Sequence, residues 1–178
     1  MTARINAGHL ASGHWVANRE ESGGRIVGEV CHFVDLLSFW AGAPPVRVTA
    51  HAVAKSGGFD RADNVVLGFD FADGSVGTIA YTSMGDTAVA KEQYEVFGEG
   101  RVAQLEDFRR LSIIAKGRAH SKKALRADKG HAEELRQFIE ACADGKPSPI
   151  AWDSIEATTR ATIAADFAWQ NRVGVELT

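Results

Sequence analysis

Asn64-Val65-Val66-Leu67-Gly68-Phe69-Asp70-Phe71-Ala72-Asp73-Gly74-Ser75 is the stretch that decides the fold class. Val65, Leu67, Phe69 and Phe71 alternate with Asn64, Gly68 and Asp70, the period of two that places every second side chain on one face of a strand. Asp73-Gly74 supplies a two-residue turn that favours a hairpin, so a partner strand is expected over residues 75–83. Upstream, Val46, Val48, Ala50 and Ala52 alternate in the same way with Arg47, Thr49 and His51. Downstream, strands are expected over 91–97, 101–107 and 111–116, and their short connections force antiparallel neighbours.

Outside this block the period lengthens to about 3.6. Residues 28–41 are apolar nearly all round (Val30, Cys31, Phe33, Val34, Leu36, Leu37, Phe39, Trp40), which reads as a buried helix ended by Gly42 and Pro44-Pro45. Over 130–144, Leu135, Phe138, Ile139 and Cys142 fall at i, i+3, i+4 and i+7, a one-faced surface helix that stops at Gly145 and Pro147. A third helix is expected from Asp153, where Asp153 and Glu156 fit a capping box, through an alanine-rich run to about Gln170, whose small residues permit close packing. The segment 116–129, with Arg118, Lys122, Lys123 and Arg126, reads as a polar loop with a solvated face. Strands together and helices at both ends give an α+β layer pattern: an open, mainly antiparallel sheet of five to six strands with helices packed on one face.

With 178 residues the chain has room for a single domain, 1–178, and falls short of the two domains that a self-sufficient nucleotide-dependent dehydrogenase needs. A hydrophobic share of 45% supports a real core, and a net charge of −3 leaves no basic excess for a nucleic-acid backbone. No apolar run approaches the ~20 residues of a membrane span. Residues 1–9 lack a charged segment followed by an apolar one, so a cytoplasmic chain is expected. Cys31 and Cys142 are expected to be buried, reduced thiols. The start at Met1-Thr2-Ala3-Arg4, almost directly at a strand that runs into Asn6, suggests a cut chain.

Gly98-Glu99-Gly100-Arg101-Val102-Ala103 spells a dinucleotide fingerprint directly after a strand. That fingerprint must open a helix whose N-terminal amides hold the pyrophosphate, whereas the next residues alternate like a strand, so a hairpin turn is expected and no cofactor for this chain alone. The informative constellation is Gly23-Gly24-Arg25-Ile26-Val27-Gly28-Glu29-Val30-Cys31-His32-Phe33-Val34-Asp35. Glu29, His32 and Asp35 recur every three residues and form one slanting polar stripe on an apolar helix. Such a stripe either bonds backbone and itself merely to satisfy burial, or forms a site. As a site it would pair Glu29 with His32, fixing the imidazole tautomer and suiting it to proton exchange with a hydroxyl or carbonyl. Arg25 would neutralise an anionic group of a ligand, or pair with Glu29. Glu29 and His32 match half of a di-iron helix motif whose second copy is missing, so no metal is expected. Asn6-Ala7-Gly8-His9 and His14-Trp15 read either as a ligand wall or as a turn with a docking Trp.

Ile5-Asn6-Ala7-Gly8, His14-Trp15, the Gly23 to Asp35 run, Lys91-Glu92, Glu95-Val96-Phe97-Gly98, Asp107-Phe108-Arg109 and Lys129-Gly130-His131 together resemble the C-terminal domain of the Gfo/Idh/MocA oxidoreductases. The resemblance covers nearly the whole chain. It implies a substrate-binding and oligomerisation domain of an enzyme whose NAD or NADP is bound by a Rossmann domain absent from this chain, acting on a sugar, polyol or related hydroxy compound. Stripe and resemblance together make His32 the expected proton-handling or hydroxyl-binding group, Glu29 its orienting carboxylate, and Arg25, Asn6, Asp35 and Trp15 the expected substrate contacts. Family members commonly carry an Asp four residues before the motif His. Here that position is Gly28, and Glu29 stands one residue later, as in a branch that reads Gly-Glu-x-Cys-His-Phe. The family's catalytic Lys belongs to the Rossmann part and has no counterpart here; Lys91 is not that residue. The sheet face carrying Thr78, Ala80, Thr82, Gln93 and Glu95 is expected to meet a second subunit in a homo-oligomer. The alternative is a non-catalytic oligomerisation or ligand-sensing module that keeps the fold.

Overall fold

Alternation along the strands sorts the side chains into a buried and an open layer, and the helices cover the buried one. The computed structural model describes residues 1–10, 14–17, 19–53 and 63–177. In chain order these form β1 (Thr2–Asn6), a 3₁₀ turn (Trp15–Ala17), α1 (Arg19–Ser22), a π-helical turn (Ile26–Val30) running into α2 (Cys31–Ala41), β2 (Pro45–Ala52), β3 (Asn64–Phe71) and β4 (Val76–Thr82). They continue with β5 (Glu92–Gly98), β6 (Arg101–Glu106), β7 (Arg110–Ala115), β8 (Arg118–Lys123), α3 (His131–Asp144), α4 (Trp152–Asn171) and β9 (Val175–Glu176).

The strands make one open sheet of nine in the order β8-β7-β6-β5-β1-β4-β3-β2-β9. Every neighbouring pair is antiparallel except β1 with β4, which run parallel. The α+β class therefore holds, and the strand count exceeds the expected five to six. One added strand, β8, lies inside the segment expected to be a loop. All six of its side chains are exposed, so it has no alternation to read. Backbone pairing to β7 from Arg110↔Lys123 to Ala115↔Arg118 makes it a strand, and its lysines discourage further edge pairing.

Val65, Leu67, Phe69 and Phe71 are buried as the alternation requires, beside Ile5, Ile79 and Tyr81 from the neighbouring strands. Ala161, Ala165 and Ala168 bring α4 close onto this layer, and Val34 and Leu37 anchor α2 beside it. The two glycine turns resolve differently. Phe71 N–H donates to Ser75 O at 2.9 Å with Gly74 at φ 86°, so the β3–β4 connection is a three-residue loop rather than the two-residue turn expected. Gly98 pairs with Arg101 across Glu99 (φ 49°) and Gly100 (φ 71°), the tight hairpin that dismisses the dinucleotide fingerprint.

The helices depart further from expectation. Phe39, on the helix read as wholly buried, is 78% exposed. On α3, Leu135, Phe138 and Ile139 are 62%, 55% and 63% exposed and Ala141 is the buried residue, so the apolar stripe faces away from the core. Cys142 shares that exposed stripe and Cys31 is half-buried, which corrects the expectation of two buried thiols. The capping box is absent: α4 starts one residue earlier, behind an extended Ala151 without a side-chain cap, and Glu156 pairs with Arg160 at 2.7 Å. Asp153 in that first turn still complements the helix dipole. A helical period therefore marked a helix correctly while misassigning what it packs against. Phe138→Ala is expected to change unfolding free energy by about 0.5 kcal/mol or less, measured by urea denaturation. A loss of about 3–5 kcal/mol, typical of a buried Phe, would place the stripe in a core.

Candidate functional site

Gly23 and Gly24 reverse the chain between α1 and α2 with φ of 74° and 84°, a left-handed pair that side chains would strain. A Cβ on Gly23 would also stand 3.0 Å from the Val27 side chain. The π-helical turn after them sets Arg25 and Glu29 on the side facing the sheet. π turns of this kind often accompany functional sites.

Arg25 is 2% exposed, and every arm of its guanidinium is occupied. Nε donates to Tyr81 Oη at 2.7 Å, Nη2 to Glu29 Oε2 at 3.0 Å and Nη1 to Gly8 O at 3.3 Å, with Asp63 Oδ2 3.7 Å from Nη1. Tyr81 Oη in turn donates to Glu29 Oε2, and the Arg25 head lies 5.1 Å from the centre of the Tyr81 ring. Burial pushes the Glu29 carboxyl up, but the Tyr81 hydroxyl and the Arg25 charge outweigh it and hold the group below its ordinary value. Burial, and then the hydrogen bond to Glu29, push the Tyr81 phenol well above its ordinary value. Glu29 is thus ionised, fixed, and still 30% exposed.

That exposed part opens into a groove of 1320 Å³ whose near wall carries Glu29, His32, Asp35 and Tyr81. The far wall carries a second network. Glu92, 3% exposed, accepts from Tyr94 Oη at 2.7 Å and from Lys129 Nζ at 2.5 Å. The Glu92 backbone N–H donates to Asp107 Oδ1 at 2.7 Å, and Lys129 Nζ lies 5.5 Å from the centre of the Phe108 ring. Burial and the hydrogen bond to Glu92 push the Tyr94 phenol well above its ordinary value.

The structure brings three of the residues expected at a site into one groove, with Arg25 behind them, and leaves two outside. Glu29, His32 and Asp35 line it together, but His32 and Asp35 are exposed rather than buried. The expected pairing of Glu29 with His32 is not formed: Glu29 is taken by Arg25 and Tyr81, and the His32 imidazole has no bond to it. Asp35 Oδ1 accepts from Thr158 Oγ1 at 3.4 Å. Asn6 follows Ile5 on a strand, so it leaves the sheet on the face opposite the core. Its Nδ2 donates to Asp86 O at 2.8 Å and Val89 O at 3.4 Å beside a separate pocket of 390 Å³, while its Oδ1, packed on Gly85, has no partner among the described residues. Trp15 is 58% exposed, stacks on His14 at 6.1 Å, and is not among the groove residues.

Sequence reasoning missed Tyr81, Glu92, Tyr94 and Lys129. One signal was available. Tyr81 and Tyr94 stand at inward positions of alternating strands, and a buried phenol demands a hydrogen-bond partner. Chemically, the near wall presents a carboxylate held as an acceptor one helical turn from an imidazole with no hydrogen-bond partner among the described residues, which suits hydroxyl recognition and proton exchange.

An open mixed sheet with helices on one face and an ionisable groove beside the helix layer defines an α+β domain. Residues 1–103 match the sequence model of the GFO/IDH/MocA C-terminal domain, and the chain belongs to that family of oxidoreductases. Solved structures share the fold. UDP-N-acetylglucosamine 3-dehydrogenase from Acidithiobacillus ferrooxidans is 21% identical with a TM-score of 0.74, over 96% of this chain and 53% of that one. An oxidoreductase domain protein from Kribbella flavida is 18% identical with a TM-score of 0.75, over 99% and 58%. A levoglucosan dehydrogenase in complex with NADH and levoglucosan is 17% identical with a TM-score of 0.79, over 98% and 57%. The chain thus spans little more than half the length of these structures. No curated protein matches it in sequence. Among the described residues no helix is long and apolar enough to cross a membrane.

Proposed function

We propose that this chain is the substrate-binding part of an NAD(P)-dependent oxidoreductase acting on a sugar, polyol or related hydroxy compound. The observation that carries the reading is the groove in which Glu29 and His32 stand together on a fold shared with dehydrogenases of levoglucosan and of UDP-N-acetylglucosamine. His32 exchanges the proton of the reacting hydroxyl. Glu29, backed by Arg25, accepts a hydrogen bond from a hydroxyl, and Asp35 offers a further acceptor along the groove. The glycine-rich segment 98–103 is a hairpin turn, not the mouth of a helix, so it offers no pyrophosphate site. NAD(P) would accept or deliver the hydride from a separate half, and the residues here bind, orient and move the proton. The open sheet face, where Thr78 and Gln93 are exposed beside Val66, Val76 and Phe97, would meet a second copy.

The test is chemical-shift mapping of the isolated chain with a panel of sugars, polyols and hydroxy acids, followed by NADH titration. Saturable shifts at His32 and Glu29 with one hydroxy compound support the reading. Shifts confined to other surfaces reject it, and micromolar NADH binding by this chain overturns the division into halves.

A further inference from the structure

The Arg25–Tyr81–Glu29 cluster has a direction built into it. Arg25 Nε donates to Tyr81 Oη, and Tyr81 donates onward to Glu29 Oε2, which also accepts from Arg25 Nη2. A guanidinium has donors only, so the phenol oxygen must accept from Nε, and its single proton has one place to go. The chain of bonds therefore ends with two donors on one carboxyl oxygen, an arrangement that favours the charged form of Glu29. We infer that Tyr81 is a positioning residue which, with Arg25, locks Glu29 as a charged acceptor for a substrate hydroxyl and leaves His32 to exchange protons alone. This rests on the substrate-binding reading of the groove and deepens it, separating two roles that a Glu–His dyad would have joined.

The charges that face Glu29 are consistent with that division. Arg25 and Tyr81 contact it directly, Asp63 lies beyond Arg25, Lys91 adds a favourable charge from the segment before β5, and His32 stands one turn along its own helix without bonding it. The Tyr81 ring is buried, packed beside Phe33 with ring centres 6.3 Å apart and under the Arg25 head, which orients its hydroxyl toward Glu29. An amphipathic residue held in this way has its polar tip aimed by packing. Removing the hydroxyl alone would keep the ring while taking one donor from Glu29 and the acceptor from Arg25 Nε.

The test is a carboxyl-carbon NMR titration of Glu29 in the chain itself, wild type against Tyr81→Phe. The wild-type midpoint is expected below the ordinary glutamate value, and Y81F is expected to raise it by about one pH unit, because a hydrogen bond to the charged form has been lost. A wild-type midpoint at or above the ordinary value overturns the inference, and so does a Y81F midpoint equal to the wild-type one. Should Y81F fail to fold, fluorinated tyrosine, a same-sized but stronger donor, is expected to lower the midpoint, and no movement overturns the inference. None of these readouts requires turnover. Failure here leaves the substrate-binding reading standing, and failure of that reading is registered separately by the shift mapping above.

Discussion

Arg25→Met is expected to destabilise the fold by about 3–5 kcal/mol, the usual cost of removing one partner from a buried ion pair. The loss comes from what is left behind. Tyr81 Oη loses its donor, Gly8 O loses its cap, and Glu29 and Asp63 lose the positive charge between them. Glu29 keeps nearly a third of its side chain in solvent, which softens its share and puts the expected value toward the lower end of the range. The sign of the pH dependence is set by Glu29. Its carboxyl ionises more readily in the fold than in the unfolded chain, so its contribution is full above the ordinary value of 4.5 and fades as the pH falls below it. R25M should lose that acid-sensitive part along with its stability. Urea denaturation at pH 7 and pH 4 checks both, and an R25M protein as stable as wild type would mean that the cluster is decorative.

On the proposed oxidoreductase reading, His32→Ala is expected to lower turnover by about 10²–10⁴-fold, the range for loss of a positioned general acid or base, when the chain is assayed joined to a dinucleotide-binding domain. His32 is exposed and carries no bond to Glu29, so the same substitution should leave the melting temperature of the chain unmoved. Arg25 and His32 thus divide the labour of one motif. One is expected to act on the fold and the other on the reaction, although they lie only seven positions apart. Wild-type turnover in H32A would remove the imidazole from the chemistry.

Much of the fold was legible because alternation is a local signal. Val65 to Phe71 reads as a half-buried strand from the sequence, and the structure buries Val65, Leu67, Phe69 and Phe71. Gly98-Glu99-Gly100 reads as a turn because residues 101–107 alternate, and the hairpin pairing bears that out. The strand β8 was hidden because all its side chains are solvent-facing and only its backbone is engaged. The stripe Glu29, His32, Asp35 was legible as a shared helical face, since spacing alone sets it. The pairing of Glu29 with Arg25, four positions earlier, was one of two readings the sequence offered, but Tyr81 was not legible, because it comes from a strand 52 residues away in sequence.

What the sequence determined by itself was therefore the local content: which alternating segments are strands, where the helices stop, and which polar residues share a helical face. These depend on backbone period and on turn residues, which act over a few positions. Only the tertiary structure decided that Glu29 belongs to Arg25 and Tyr81 rather than to His32, that Asn6 serves another pocket, and that the apolar stripe of α3 lies open. Those outcomes depend on which elements meet across the sheet. A hydrogen bond between distant segments leaves no periodic trace in either of them.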